Sequence, residues 1–275
     1  MLDLQLHHIV DLYFWVDDNL PRVKNNKGGR PCIMSDNEVI TLLIWNVISL
    51  HQKTLKDVHT FTKLYLKKEF PQLSKYNTFL KQCHKVTPLM YNLLQSLLQN
   101  DELQFVDSTM IEVCTLKRAD NYKVAKNIVK FGRNWQGWHY GFKLHATTNI
   151  KGQLCNLSFS PANQYDAQEL PNLINDNVKV LVGDTLYGAS VMRNKINKDH
   201  GTIIVSPPFP KQDKKMATPF QNFILSERSR IESVFGILKT RLHLVTSFSR
   251  SAKGYFTHYI RILLGYQIMA LFRDY

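Results

Sequence analysis

The sequence predicts a mixed α/β protein in which an all-helical N-terminal region precedes a mixed sheet with flanking helices. Three observations carry this expectation. Helix caps and apolar residues at helical spacing fill the first hundred positions. Beyond Asp101 the apolar residues instead alternate or run in short blocks, as strands require. The chain has 275 residues, enough for one large core or two smaller domains. The expected division is a helical region over 1–100 and a sheet-containing domain over 101–275.

The elements follow in order. Residues 25–31, NNKGGRP, read as a loop. Ser35 and Glu38 form an S-x-x-E capping box before an apolar run over 39–50. Leu55, Val58, Phe61 and Tyr65 recur at helical spacing. A short helix is expected over 76–86, and Thr87-Pro88 then supplies a cap and a first-turn proline for another reaching 100. Such short helices suit a DNA reader of the helix-turn-helix kind or a plain bundle. After residue 101 the expected order is a strand over 103–106 ending at Asp107, then paired strands over 140–146 and 153–160. A helix over 166–176, a buried strand over 178–182 with Asp184 after it, and a helix over 189–198 come next. A strand over 202–205, a Pro- and Lys-rich loop over 207–219, and helices over 225–239 and 253–272 complete the chain.

The composition narrows the function. Thirty-five Lys and Arg against twenty-two Asp and Glu give a net charge of +13. Residues 117–143 carry seven cations against Asp120, and residues 228–261 carry seven against Glu232. In the first stretch Phe131, Trp135 and Trp138 interleave with Lys130, Arg133 and Lys143. Aromatic faces beside cations suit a nucleic-acid surface. Trp135 and Trp138 are candidates for stacking on an unpaired base, or for ordinary packing. No apolar run approaches the ~20 residues that cross a bilayer, and the acidic N-terminus is no signal peptide. The four cysteines are far apart with no CxxC pair, which suits a reduced intracellular protein rather than a zinc site. No glycine-rich nucleotide loop is present.

Carboxylates at the ends of two neighbouring strands and on a helix can serve phosphodiester chemistry. Hard divalent cations take oxygen ligands, and two ions ~4 Å apart assist both attacking and leaving oxygens. The candidates are Asp107, Asp184 and Glu232. On a helical wheel Arg228 lies 40° from Glu232 and 20° from Lys239 at 100° per residue, so one continuous helix would show all three on one face. Asp166 is a weaker candidate, read instead as an acid at a helix N-terminus.

The spacing Arg228-x3-Glu232-x6-Lys239 is similar to the Y-x2-R-x3-E-x6-K signature of insertion-sequence DDE transposases, with Leu225 in place of the Tyr. FVDST, GRNWQGWHYGFKLH, PANQYDAQEL, GDTLYGA and ERSRIESVFGILKTR, in this order, resemble the insertion sequence 982 family of bacterial transposases over residues 30–272. The resemblance implies a ribonuclease-H-like catalytic domain after a helical DNA-binding region. It implies a DDE triad at Asp107, Asp184 and Glu232 and two Mg²⁺ or Mn²⁺ ions. It further implies double-stranded DNA as substrate, namely the element's terminal inverted repeats and target DNA. Lys130, Arg133, Lys143, Arg228 and Lys239 are the expected DNA contacts. A homodimer or larger assembly on DNA, in the bacterial cytoplasm at the nucleoid, is the expected setting. The alternatives are a related nuclease that cuts without joining and a catalytically dead DNA-binding protein.

Overall fold

A computed structural model of the chain describes residues 8–20, 33–208 and 217–272. The expected loop over 25–31 and most of that over 207–219 lie outside the described residues. The chain forms two compact units. One takes Met1–Leu97, Leu238–Leu244 and Phe248–Tyr275, and the other takes Leu98–Ile237 and Val245–Ser247. The C-terminal segment thus belongs with the N-terminal helices, which differs from the single cut expected at residue 101.

The first unit is helical: α1 (Ile9–Asn19), α2 (Asp36–Trp45), α3 (Leu55–Tyr65), α4 (Tyr76–Leu97) and, from the chain's far end, the helix Ala252–Leu271. The capping box is present, with Ser35 Oγ accepting from the Glu38 amide and Glu38 Oε2 accepting from the Ser35 amide. A wide π turn, Asn46–Leu50, then ends at His51 in the left-handed region (φ 52°). The two short helices expected around Thr87-Pro88 are one helix, α4, with Pro88 inside it. Phe79, Cys83, Val86, Met90, Leu93 and Leu94 are buried along it. That apolar stripe continues across the proline, and its burial outweighs the missing backbone bond. Thr87 caps nothing; its hydroxyl donates to the Cys83 carbonyl. The C-terminal helix supplies much of this core, including buried Tyr255, Tyr259, Leu263 and Leu264. Its Gly265 sits so close to Val47 that an added Cβ would lie 2.6 Å from Val47 Cγ1.

The second unit is built on one mixed sheet. Its strands are β1 (Leu103–Glu112), β2 (Lys130–Asn134), β3 (Gly137–Thr148), β4 (Leu154–Pro161), β5 (Val180–Val182) and β6 (Ile203–Val205). β3 pairs antiparallel with β1, β2 and β4, whereas β1, β5 and β6 run parallel. The order β4-β3-β1-β5-β6, with three antiparallel strands followed by two parallel additions, is compatible with a ribonuclease-H-like fold. One face of the sheet is covered by α5 (Leu170–Leu173) and α6 (Ser190–His200). Val106, Leu170, Leu173, Leu181, Tyr187, Ile196 and Ile204 form the core there. β1 runs five residues past Asp107, so Asp107 is an interior strand residue rather than a strand end. The helix expected over 166–176 is only a 3₁₀ turn, Asp166–Glu169, followed by the single turn α5.

The helix expected over 225–239 is broken. α7 (Pro219–Ser226) and α8 (Ser229–Gly236) are separate, and a π turn, Ile237–Arg241, follows. The final helix, Ala252–Leu271, is α9. Among the described residues no helix is long and apolar enough to cross a membrane. Cys83, Cys114 and Cys155 are buried free thiols, while Cys32 lies outside the described residues.

Candidate active site

Parallel pairing of β1 with β5 sets Phe105 opposite Val182. Asp107 and Asp184 each follow two residues later, so they come level at the mouth of the pair. Strand alternation sends Asp107 to the face opposite Val106 and Ser108, and α8 packs against β1. Asp184 starts a 3₁₀ turn, Thr185–Gly188, where its Oδ1 accepts from the Leu186 amide at 2.8 Å. Gly183 permits the tight entry to that turn: a Cβ there would lie 2.8 Å from the Tyr187 ring and 2.9 Å from Val106.

The electrostatics tie the three expected carboxylates together. Burial pushes the Asp107 carboxyl up to about 6, against the Ser108 amide and Arg228, which favour its charge, while Asp184 and Glu232 raise it further. Asp184 is also raised, by burial first and then by Asp166. Arg228 Nη2 reaches Glu232 Oε1 at 2.6 Å. Arg228 precedes α8 as its cap residue, yet its αR backbone preserves the i, i+4 contact that an unbroken helix would make. Lys239 stands in the following π turn, so the wheel that placed it with Arg228 and Glu232 does not apply. Glu227, one residue before Arg228 in the sequence, is paired with Arg230.

Among the described residues, no three His, Cys, Asp or Glu side chains converge closely enough to hold a metal ion. Each carboxylate has a partner of its own: the Ser108 amide for Asp107, the Leu186 amide for Asp184, and Arg228 for Glu232. In kind, the donors suit a hard divalent cation. They are all oxygens, and the desolvated Asp107 carries the repulsion of two further acids.

Lys143 departs from expectation. It is buried, and its ammonium donates to Asp166 Oδ1 at 2.8 Å and to the Gln164 carbonyl at 2.9 Å. The β1–β3 register sets it on the Ser108 face of the sheet, where it balances a carboxylate. His145 is fully buried beside the same acid, and burial lowers its pKa to about 4. Asp166 also accepts from Ser108 Oγ at 2.9 Å. It is therefore a tertiary anchor as well as the first residue of the 3₁₀ turn. The alternation of Lys143 and His145 with apolar neighbours was the sequence signal for their shared face. Nothing local marked that face as closed.

Lys130 and Arg133 lie on β2, exposed as expected, in a hairpin with β3. The Arg133 guanidinium lies 5.9 Å from the Trp138 ring centroid, and Trp135 at the turn is 90% exposed. Exposed Trp138 and Phe131 extend the same basic, aromatic surface.

A family model, the transposase DDE domain, matches residues 98–252. No curated protein and no solved structure matches the chain. The match spans the whole sheet with Asp107, Asp184 and Glu232, and covers more than half the sequence: the chain belongs to the transposase DDE domain family.

Proposed function

We propose that this DDE transposase cuts at the terminal inverted repeats of an insertion sequence and joins the freed 3′-hydroxyl ends to target DNA. We infer Asp107, Asp184 and Glu232 as its triad, and the insertion sequence 982 group as its nearest kin. The observation that carries the reading is the position of Asp107 inside the matched domain, level with Asp184 and within electrostatic reach of Glu232.

Asp107, Asp184 and Glu232 are the residues that would hold two Mg²⁺ or Mn²⁺ ions. Such ions supply charge stabilisation at the attacking and leaving oxygens of an in-line phosphoryl transfer. Asp107, the most desolvated of the three, offers a carboxylate oxygen where water is scarce. Arg228 holds Glu232 now; on engagement with DNA its guanidinium turns to a phosphate and frees the carboxylate. Lys239 in the next turn is a second phosphate contact. The β2–β3 hairpin, with Lys130, Arg133 and Trp135, lies along the DNA flanking the cut. Two ends must be held together for joining, so a homodimer or larger assembly forms on DNA at the bacterial nucleoid.

The test uses purified protein, Mg²⁺ and duplexes carrying the inverted repeats that flank the gene. Cleavage and strand transfer are both expected, and both should vanish in Asp107→Asn. Cleavage without joining would leave the nuclease reading. Binding without either would leave the inactive DNA-binding reading.

A further inference from the structure

We propose that the helical unit carries a phosphate-binding concavity of its own, between the end of α3 and the start of α4, which seats the backbone of duplex DNA. It rests on the DNA-binding reading but not on the catalytic carboxylates. Of the twelve Lys and Arg in the first hundred residues, eight fall between Lys53 and Lys85, against Asp57 and Glu69. The turn from α3 to α4 folds part of this charge around a hollow of about 430 Å³, whose lining includes Lys63, Lys67 and Lys75.

The hollow has a fixed frame. His59 on α3 bonds the Ser74 carbonyl at 2.9 Å, across fifteen residues. The His59 ring also packs on Tyr76 and Phe79 at the start of α4. Ser74 Oγ in turn donates to Gln82 Oε1, and Gln82 donates to the Met34 carbonyl. Phe70 is buried below. The three lysines are exposed around this frame. Among the described residues none of them is in an ion pair, although other exposed lysines are, as Lys85 is with Asp36. Three uncompensated ammonium groups around one concavity repel each other and concentrate anions. A phosphodiester backbone relieves that repulsion at several points at once and releases counterions.

The experiment compares full-length protein with the triple variant Lys63→Gln, Lys67→Gln, Lys75→Gln. A control triple, Lys179→Gln, Lys195→Gln, Lys198→Gln, removes the same charge from exposed positions of the sheet-containing unit. Binding to a fluorescein-labelled 30-base-pair duplex is measured by anisotropy from 50 to 200 mM salt. Because the first triple neutralises three fewer phosphates, its slope of log affinity against log salt should flatten by about 2–3, and its affinity at 100 mM should fall about tenfold or more. The control should move much less. Circular dichroism checks that each variant is folded. An unchanged slope in the first triple, or equal changes in both, overturns the concavity while leaving the transposase reading intact. Wild-type protein that binds no duplex at all overturns the DNA-binding reading itself.

Discussion

Asp107 and Asp184 stand level across the parallel β1–β5 pair, each two residues past the rung where Phe105 faces Val182. They reach that level differently. Asp107 is held by a continuing strand, whereas Asp184 is the first residue of a turn. The strand cannot shift without disturbing β3 pairing on its other edge. The turn brings the Gly183 backbone so close to Tyr187 and Val106 that a side chain there would clash. Two acids of different backbone setting, one in a strand and one at a turn, thus follow the same rung.

Glu232→Gln keeps shape and removes charge. DNA binding depends on Lys and Arg, so duplex affinity should hold or rise slightly. Mg²⁺-dependent cleavage should fall by about 100-fold or more, as anionic oxygen is removed from the metal site. Asp107→Asn and Asp184→Asn should match it, because the three act as a unit. Gel-shift and cleavage assays on the same preparations check this. Near-normal cleavage by Glu232→Gln alone would move the third carboxylate elsewhere.

Asp107 also predicts a pH signature. Its folded value of about 6 lies above the ordinary 3.8, so the folded state holds this proton more tightly. That contribution to stability is full below about pH 3.8 and is lost as pH rises through about 6. Asp107→Asn escapes the loss. In EDTA, its stability advantage over wild type should grow by about 2 kcal/mol between pH 4 and pH 7. Urea denaturation at the two pH values measures the difference. Mg²⁺ at neutral pH should raise the wild-type midpoint and leave the variant's unchanged.

Legibility in the sequence followed the range of the interactions. Ser35 and Glu38 announce α2 because a capping box is closed within four residues. The alternation along β3 announces a strand because its period is local. Pro88 misleads because what keeps α4 whole is burial against other helices, α9 among them. The tie between Arg228 and Glu232 was readable from i, i+4 spacing and survives the break before α8. The place of Lys143 was not readable. Its spacing fixes a face, but only tertiary packing decides whether that face meets solvent or Asp166.

The hairpin surface predicts a divided outcome. Arg133→Gln should weaken binding uniformly across sequences and flatten the salt slope by about 1, since a single phosphate contact is removed. Trp135→Ala changes no charge. It should leave the slope unaltered and weaken single-stranded or frayed ends more than blunt duplex, by ~1–3 kcal/mol per stacked base. Anisotropy titrations with blunt and frayed duplexes separate the two. Equal losses on both substrates would mean Trp135 supplies packing rather than stacking.

The buried pair Lys143–Asp166 makes the sharpest test of how the sheet is held. Asp166 accepts from Lys143 Nζ and Ser108 Oγ, beside His145. Asp166→Ala leaves a buried ammonium with only the Gln164 carbonyl, which should cost about 3–5 kcal/mol. Lys143→Met alone leaves the opposite charge, softened by the Ser108 hydroxyl, and should cost less. The double variant Lys143→Met, Asp166→Leu removes both charges and should recover most of the stability, because the desolvation that the pair bears disappears with it. The DNA-binding alternative for Lys143 predicts something else. Stability would barely move in Lys143→Met, while the salt slope of DNA binding would flatten by about 1. Urea denaturation and anisotropy on the same three variants decide between them. The pair reading requires recovery in the double variant together with an unchanged salt slope in Lys143→Met.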